Sequence, residues 1–227
     1  KDGKPGYINS LGEYVFDYMY PSYNSIKIVV RDSKFGIVDV YGNIIADCQY
    51  DYISSFKNNI AKCIKDEKFG LITSLGYEII TPSYTWITSF NENGIAITQE
   101  GVKYGAINLD GKKLLPPIYD KVIFSERYIY AYTKDMVGLY AFSGECVIVP
   151  KYNKISEHSH FIHAYISTDR DKNYNKTETD NIIDIYNHNG DIIISNIDYN
   201  TEYKALSSTL FCCKKDDSWV IYKEGHQ

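Results

Sequence analysis

No apolar run in the chain approaches the roughly 18 residues that a membrane span requires, so no helical anchor is written into these residues. An excess of one charge is lacking too. Twenty-four Lys and Arg stand against 29 Asp and Glu, the signs are interspersed, and the formal net charge is −5. No basic stripe is offered to a phosphate backbone, which argues against nucleic acid as a partner and equally against insertion into a membrane. Five cysteines, Cys48, Cys63, Cys146, Cys212 and Cys213, form no CxxC pair, and an odd number cannot all bridge. They read as small apolar core residues, and they favour a reducing compartment.

The motifs of the common catalytic classes are missing as well. There is no GxSxG, no P-loop, no GxGxxG opening a helix, no HExxH, and no cysteine with an evident histidine partner. The chain is therefore expected to be no enzyme and to need no cofactor. The opening KDGKPGYINS has neither an initiator Met nor a signal-peptide core, which points to a processed end or to the edge of a longer array. Compartment stays open between cytoplasmic and exported. A sustained period of 3.6 residues is absent, while β-branched and aromatic residues dominate the apolar set, so the fold class is all-β.

What the chain does have is tyrosine, 23 of them, and glycine at a regular interval. Turn glycines fall at Gly12, Gly42, Gly76, Gly111, Gly144 and Gly190, with a truncated unit near Gly225. Six residues before each of the first five sits a second glycine, at Gly6, Gly36, Gly70, Gly105 and Gly138, with Asp184 in its place in the sixth unit. The segments around them, such as IVDVYGNIIA, AINLDGKKLL and IYNHNGDIII, read as strand, tight turn, strand. Asp110-Gly111 and Asn189-Gly190 are dipeptides suited to two-residue hairpin loops. Eight residues past the glycine comes Tyr20, Tyr50, Tyr84, Tyr119 or Tyr152, preceded in three units by Pro82, Pro117 or Pro150, and then a third strand. A fourth strand, as in SIKIVV or GIAITQE, precedes the next glycine pair. Each unit of about 34 residues thus holds four short antiparallel strands, apolar on both faces as stacked sheets require. The recurrent tyrosines are expected to pack in the core or rim with their hydroxyls bonded at an edge.

SKFGIVDVYGN, EKFGLITSLGY and VKYGAINLDGKKLLPPIYD resemble the WG-repeat (KWG) family of mostly bacterial proteins. The likeness extends over nearly the whole chain, 1–227, as a single tandem repeat domain. It departs from the pattern where the naming Trp is Phe35, Phe69 or Tyr104, Val137 in the fifth unit and Pro5 in the first. The resemblance implies a repeat array and no shared reaction. Units of this kind stack radially or linearly, so the expected architecture is a β-propeller of about six blades, the alternative being an open β-solenoid. The missing first strand at the start and the surplus strand TLFCCKK near the end favour the ring, in which the last segment completes the first blade.

Candidate binding residues lie where the repeat fails. His158, His160 and His163 cluster at one strand link, His158 and His160 on one face if extended and His163 opposite. No HxxxH, cysteine pair or carboxylate cluster supports a metal there. The interval of 46 residues between Gly144 and Gly190 is explained by a polar insertion near 166–180. Its Asp169, Arg170 and Tyr174 are candidate contacts if the loop is a binding element rather than a disordered excursion. The function these features imply is a non-catalytic protein-interaction scaffold. The alternative is a propeller that binds a small ligand or glycan through loop aromatics such as Tyr128, Phe161 and Tyr174, and an enzyme comes third.

Overall fold

A computed structural model describes residues 6–9, 11–21, 23–167, 181–198, 201–207, 210–215 and 218–223. All regular structure among them is β, in seven antiparallel sheets. Two compact units divide the chain, Lys1–Ile118 and Tyr119–Gln227. In the first, a two-stranded sheet (Tyr7–Ile8, Tyr14–Phe16) is followed by two four-stranded ones. These are Tyr18–Met19, Ile26–Arg31, Lys34–Asp39 and Ile44–Tyr50, then Tyr52–Ile53, Ile60–Lys65, Lys68–Thr73 and Glu78–Tyr84. The fourth sheet comprises Trp86–Ile87, Ile95–Glu100, Lys103–Asn108 and Lys113–Tyr119. The second unit holds a fifth sheet (Lys121–Phe124, Tyr128–Thr133, Met136–Ala141, Cys146–Tyr152) and a sixth (Lys154–Glu157, Ile162–Ser167, Asn181–Tyr186, Ile192–Asp198). A three-stranded seventh follows, Tyr203–Ala205, Leu210–Lys215 and Ser218–Lys223.

Sheets and sequence units are out of phase. One residue, Asp17, Asp51, Thr85, Asp120 or Asn153, separates the last strand of one sheet from the first strand of the next. A hairpin needs at least two loop residues, so the chain cannot fold back there and passes to a new sheet instead. The third and fourth strands of each sequence unit therefore become the first and second strands of the following sheet. Four of these link residues also cap a turn. Asp17 accepts the Asp32 N–H at 2.7 Å, Asp51 that of Asp66 at 2.8 Å, Thr85 that of Gly101 at 3.0 Å, and Asp120 that of Lys134 at 2.6 Å. The turns capped at Asp32-Ser33 and Asp66-Glu67 have φ of 52° and 62°, and of 51° and 61°, the double positive φ of a type I′ hairpin.

The glycine turns differ from the expected two-residue loops. Gly111 N–H donates to the Asn108 carbonyl at 3.0 Å while Asn108 N–H donates to the Lys112 carbonyl at 3.1 Å. Positive φ is confined to the glycine, +78° at Gly111, which makes this a three-residue loop, a type I turn closed by a glycine bulge. Its second signal is an Asx side chain three residues before the glycine. Asp39 Oδ1 accepts from Tyr41 and Asn43 N–H, both at 2.8 Å, and Asn187 Oδ1 accepts from Asn189 and Asp191 N–H at 2.9 and 2.8 Å. Asn9 does the same for Leu11 and Glu13.

The other glycine of each pair answers to packing. Opposite Gly36 the partner strand bulges, the single residue between the pairs Phe35↔Tyr50 and Ile37↔Ala46 facing three, Asp47, Cys48 and Gln49. The bulge brings backbone so close that a Cβ on Gly36 would lie 2.7 Å from the Ala46 carbonyl oxygen, and on Gly70 2.4 Å from that of Ile80. Tyr50, Tyr84, Tyr119 and Tyr152 end these bulged strands and are buried. Tyr20 does not join them. The first unit has no such bulge, its strand ends at Phe16, and Phe16 (4% exposed) takes the buried aromatic place while Tyr20 stays 39% exposed.

In the sixth sheet the rule changes with Asp184. Pro82, Pro117 and Pro150, two residues before the tyrosine, have no N–H to satisfy, and glycine faces them. Asn196 stands at the corresponding place, and its N–H donates to Asp184 Oδ1 at 2.9 Å, while the Tyr152 hydroxyl donates to Asp184 Oδ2 at 2.5 Å. The bulge is shorter by one residue, so Ile182 pairs Asp198 and the buried place goes to Ile197. That displacement explains why no tyrosine occurs at the usual spacing.

The apolar side chains form separate layers between successive sheets. Ile28, Ile37 and Ala46 pack with Ile53, Ala61 and Cys63 in the first unit. Val137, Leu139 and Ile148 pack with Ile155, Ile162 and Ala164 in the second. Burial pushes the Cys63 thiol up to about 12, with nearby Glu78 adding to the rise. Cys48, Cys212 and Cys213 are likewise at least partly buried, whereas Cys146 is exposed, contrary to its expected place in the core. Gly70→Ala is expected to lower stability by about 3 kcal/mol through the backbone clash, and Gly42→Ala, which meets only open space at φ +90°, by about 1–2 kcal/mol. Asp184→Ala, which removes the acceptor of the Asn196 N–H and of the buried Tyr152 hydroxyl while Tyr186 stays bonded to the latter, is expected to lose about 1–3 kcal/mol. Urea unfolding followed by tyrosine and tryptophan fluorescence would check all three.

Candidate binding surface

Antiparallel alternation sorts the connections to two ends of each sheet. Links between first and second strands and the glycine turns share one end. Turns between second and third strands and the one-residue links share the other. The repeated polar residues concentrate on the one-residue links and the glycine turns. The first-to-second-strand links, residues 20–25, 54–59 and 88–94 in the first unit, share a Ser-aromatic pair, Ser22-Tyr23, Ser55-Phe56 and Ser89-Phe90, and differ in the residues around it.

Two clefts open at that end of the first unit. One, of about 450 Å³, lies between the second and third sheets and is lined by Tyr20, Pro21, Tyr23, Tyr52, Ser55 and Phe56 with isoleucines at its floor. Tyr23 stacks on Phe56 with ring centroids 5.7 Å apart, and Tyr52, 46% exposed, is braced edge-on by Phe35 at 5.4 Å. No charged side chain lines it. The other, of about 480 Å³, lies between the third and fourth sheets, and its polar lining includes Lys57, Asn58, Lys62, Asn91 and Glu92. The type I′ turn at Asn58-Asn59 (φ 52° and 63°) and the Asx turn at Asn91, whose Oδ1 accepts from Asn93 and Ile95 N–H, hold its rims. Sequence reasoning missed both clefts. The signal for them is the Ser-aromatic pair that recurs in these links, as in Ser55-Phe56 and Ser89-Phe90, with an aromatic at Tyr18, Tyr52 and Trp86 spaced by 34 residues.

The histidine link is at the same end of the sixth sheet. His158 and His163 come together, rings 4.2 Å apart, because His158 N–H donates to the Phe161 carbonyl at 2.8 Å and turns the chain back on itself. The expected extended arrangement, with His163 on the opposite face, is thus replaced by a hairpin in which it is His160 that stands apart, exposed. His163 is buried (3% exposed), stacked on Phe161 at 5.5 Å with the Tyr165 hydroxyl 3.4 Å from its Nδ1. Tyr128 and Phe161, expected as ligand-facing loop aromatics, are buried. The Tyr128 hydroxyl is 3.0 Å from Nδ1 of His188, a residue the sequence did not single out, and His188 Nε2 donates to the His158 carbonyl at 3.0 Å. Among the described residues no three His, Cys, Asp or Glu side chains converge as metal ligands. Asp169, Arg170 and Tyr174 lie outside the described residues. The chain leaves for them at Ser167 and returns at Asn181, the far end of the strand pair from His158.

The geometry defines a tandem β-repeat protein whose four-stranded sheets share one turn chemistry. The WG containing repeat family matches residues 35–69, 69–104 and 104–126, three consecutive copies within the span of nearly the whole chain that the sequence resemblance covers. A search among curated proteins finds no match. Among solved structures the chain is similar to a eukaryotic initiation factor, at 10% identity and a TM-score of 0.34, over 89% of this chain. It spans 62% of the length of that protein. Hsv2 from Kluyveromyces marxianus aligns at 10% identity and a TM-score of 0.31, over 89% of this chain and 70% of the other. The N-terminal domain of Nup159 aligns at 11% and 0.29, over 88% and 71%.

Burial, together with His158, holds His163 well below the usual histidine range, at about 4. The folded state therefore keeps His163 neutral while the unfolded chain takes up a proton as pH falls through about 6.5. The resulting stability is complete above that value and is lost progressively down to about 4. His163→Phe, which keeps the stack on Phe161, is expected to flatten this part of the melting temperature against pH curve.

Proposed function

We propose that the chain is a non-catalytic interaction scaffold that engages a protein partner through the first-to-second-strand links of its first unit. The observation that carries this reading is the division of labour between positions. The repeated Asp, Asn and Tyr side chains are engaged in caps, Asx turns and buried hydroxyl bonds such as Tyr50 to Glu78 at 2.7 Å. The first-to-second-strand links line concave surface on a rigid frame, where binding residues are commonly carried. A small ring-shaped ligand is the second reading, favoured by the aromatic walls of the cleft at Tyr20, Tyr23, Tyr52 and Phe56.

Immobilised chain incubated with extract of its native organism should retain a saturable protein. A variant carrying Tyr20→Ala, Tyr52→Ala and Lys57→Glu, all at exposed positions, should lose that protein while keeping its melting temperature. Absence of any saturable partner, or equal retention by the variant, would count against the scaffold reading. A glycan array positive for the chain and negative for the variant would favour the ring ligand.

A further inference from the structure

We infer that the two clefts of the first unit form one track for an extended acidic peptide. The peptide seats an apolar or proline residue between Tyr20 and Tyr52, and an Asp or Glu side chain beside Lys57 and Lys62. The inference rests on the scaffold reading above and specifies the partner's chemistry.

Contiguity comes first. Ser55 lines both clefts, one on each side of the third sheet's loop, so the two adjoin there. Packed sheets are about 10 Å apart and an extended chain rises about 3.3 Å per residue, which sets the two anchors about three residues apart. The linings then differ in kind. The first is aromatic and neutral, and its flat walls at Tyr20, Tyr23 and Tyr52 suit a proline ring or a compact apolar side chain, the mode by which aromatic grooves take polyproline-like segments. The second carries Lys57 and Lys62 against the single carboxylate of Glu92, an excess of positive charge in a chain whose net charge is −5. Lys62 is held in place, its Nζ 3.5 Å from the Ile87 carbonyl, while Lys57 stands on the exposed link. A ring ligand would fill the first cleft alone and leave the lysines without a role. A peptide uses both, and its backbone can meet the Ser, Asn and Tyr groups along the way.

Selection of random dodecapeptides displayed on phage against the full chain tests this. The expected result is enrichment of sequences with Pro, Leu or an aromatic followed about three positions later by Asp or Glu. Synthetic copies of the enriched peptides should bind Tyr52→Ala about tenfold more weakly, as loss of a central anchor does. Against Lys57→Glu the acidic preference should disappear, with Lys or Arg selected at that position. Unchanged melting curves of both variants would show that the loss is local. Enriched peptides without an acidic position, or peptides whose affinity neither variant changes, would overturn the track and leave the scaffold reading standing. Failure to enrich any peptide while a saturable partner protein is retained would do the same. Failure of both selections would overturn the scaffold reading with it.

Discussion

A single residue between the last strand of one sheet and the first of the next governs the rest of this structure. It is too short to reverse the chain within a sheet, so it forces the change of sheet that produces the array, and it does so five times. The same residue, when it is Asp or Thr, reaches the backbone of the turn in the new sheet and fixes where the second strand ends. Register follows, since a hairpin turn pinned at one place sets every cross-strand pair behind it. Lys34 adds an ion pair to Asp51 at this joint and holds its carboxyl below the usual range.

Once the register is set, the bulge opposite each glycine becomes unavoidable, and with it the buried tyrosine that closes the strand. Three residues face one across the ladder, the carbonyls they displace come within reach of the opposing Cα, and only glycine leaves room. The Tyr50 hydroxyl, carried into the layer between sheets, finds a carboxylate in the neighbouring sheet, and burial with that partner raises it above the usual phenol range. The layers closed by Tyr50, Tyr119 and Tyr152 each carry such a polar bond, to Glu78, Tyr140 and Asp184. Stability in such an array is a sum over neighbouring layers rather than one global core.

Much of this was legible in the amino-acid sequence, because glycine and tyrosine at fixed spacing report backbone constraints that allow few alternatives. The four-strand content of the unit, the all-β class and the structural role of Tyr50, Tyr84, Tyr119 and Tyr152 follow from spacing alone. The phase of the sheets does not, since spacing records which strands recur and is silent on which of them pair. Tyr20 misled for a related reason: counting from Gly12 places it with the buried tyrosines, but a strand without a bulge reaches the same point four residues sooner, at Phe16. Asn9, Asp39, Asn108 and Asn187, three residues before their glycines, were a readable mark of the three-residue loop. The candidate site was the least legible part. Its clefts combine an aromatic that does recur, Tyr52 with Tyr18 and Trp86 at a spacing of 34, with residues such as Lys57 that do not, and the pairing of His158 with His163 depends on a reversal that alternation along a strand does not foresee.

Asp184 bears on how such an array can change. Three units, those of Gly70, Gly105 and Gly138, are close to interchangeable at the bulge, where glycine meets a proline that asks nothing of it, and a duplicated or transplanted copy would find a compatible neighbour. The sixth unit is not. Its carboxylate needs the N–H of Asn196 on one side and the Tyr152 hydroxyl of the preceding sheet on the other. Moved next to a sheet ending in Phe16, or spliced to a strand with proline at the bulge, it would be buried with one partner gone. The junction between the fifth and sixth sheets is therefore fixed by chemistry, and the sixth unit cannot exchange places with the others without losing it.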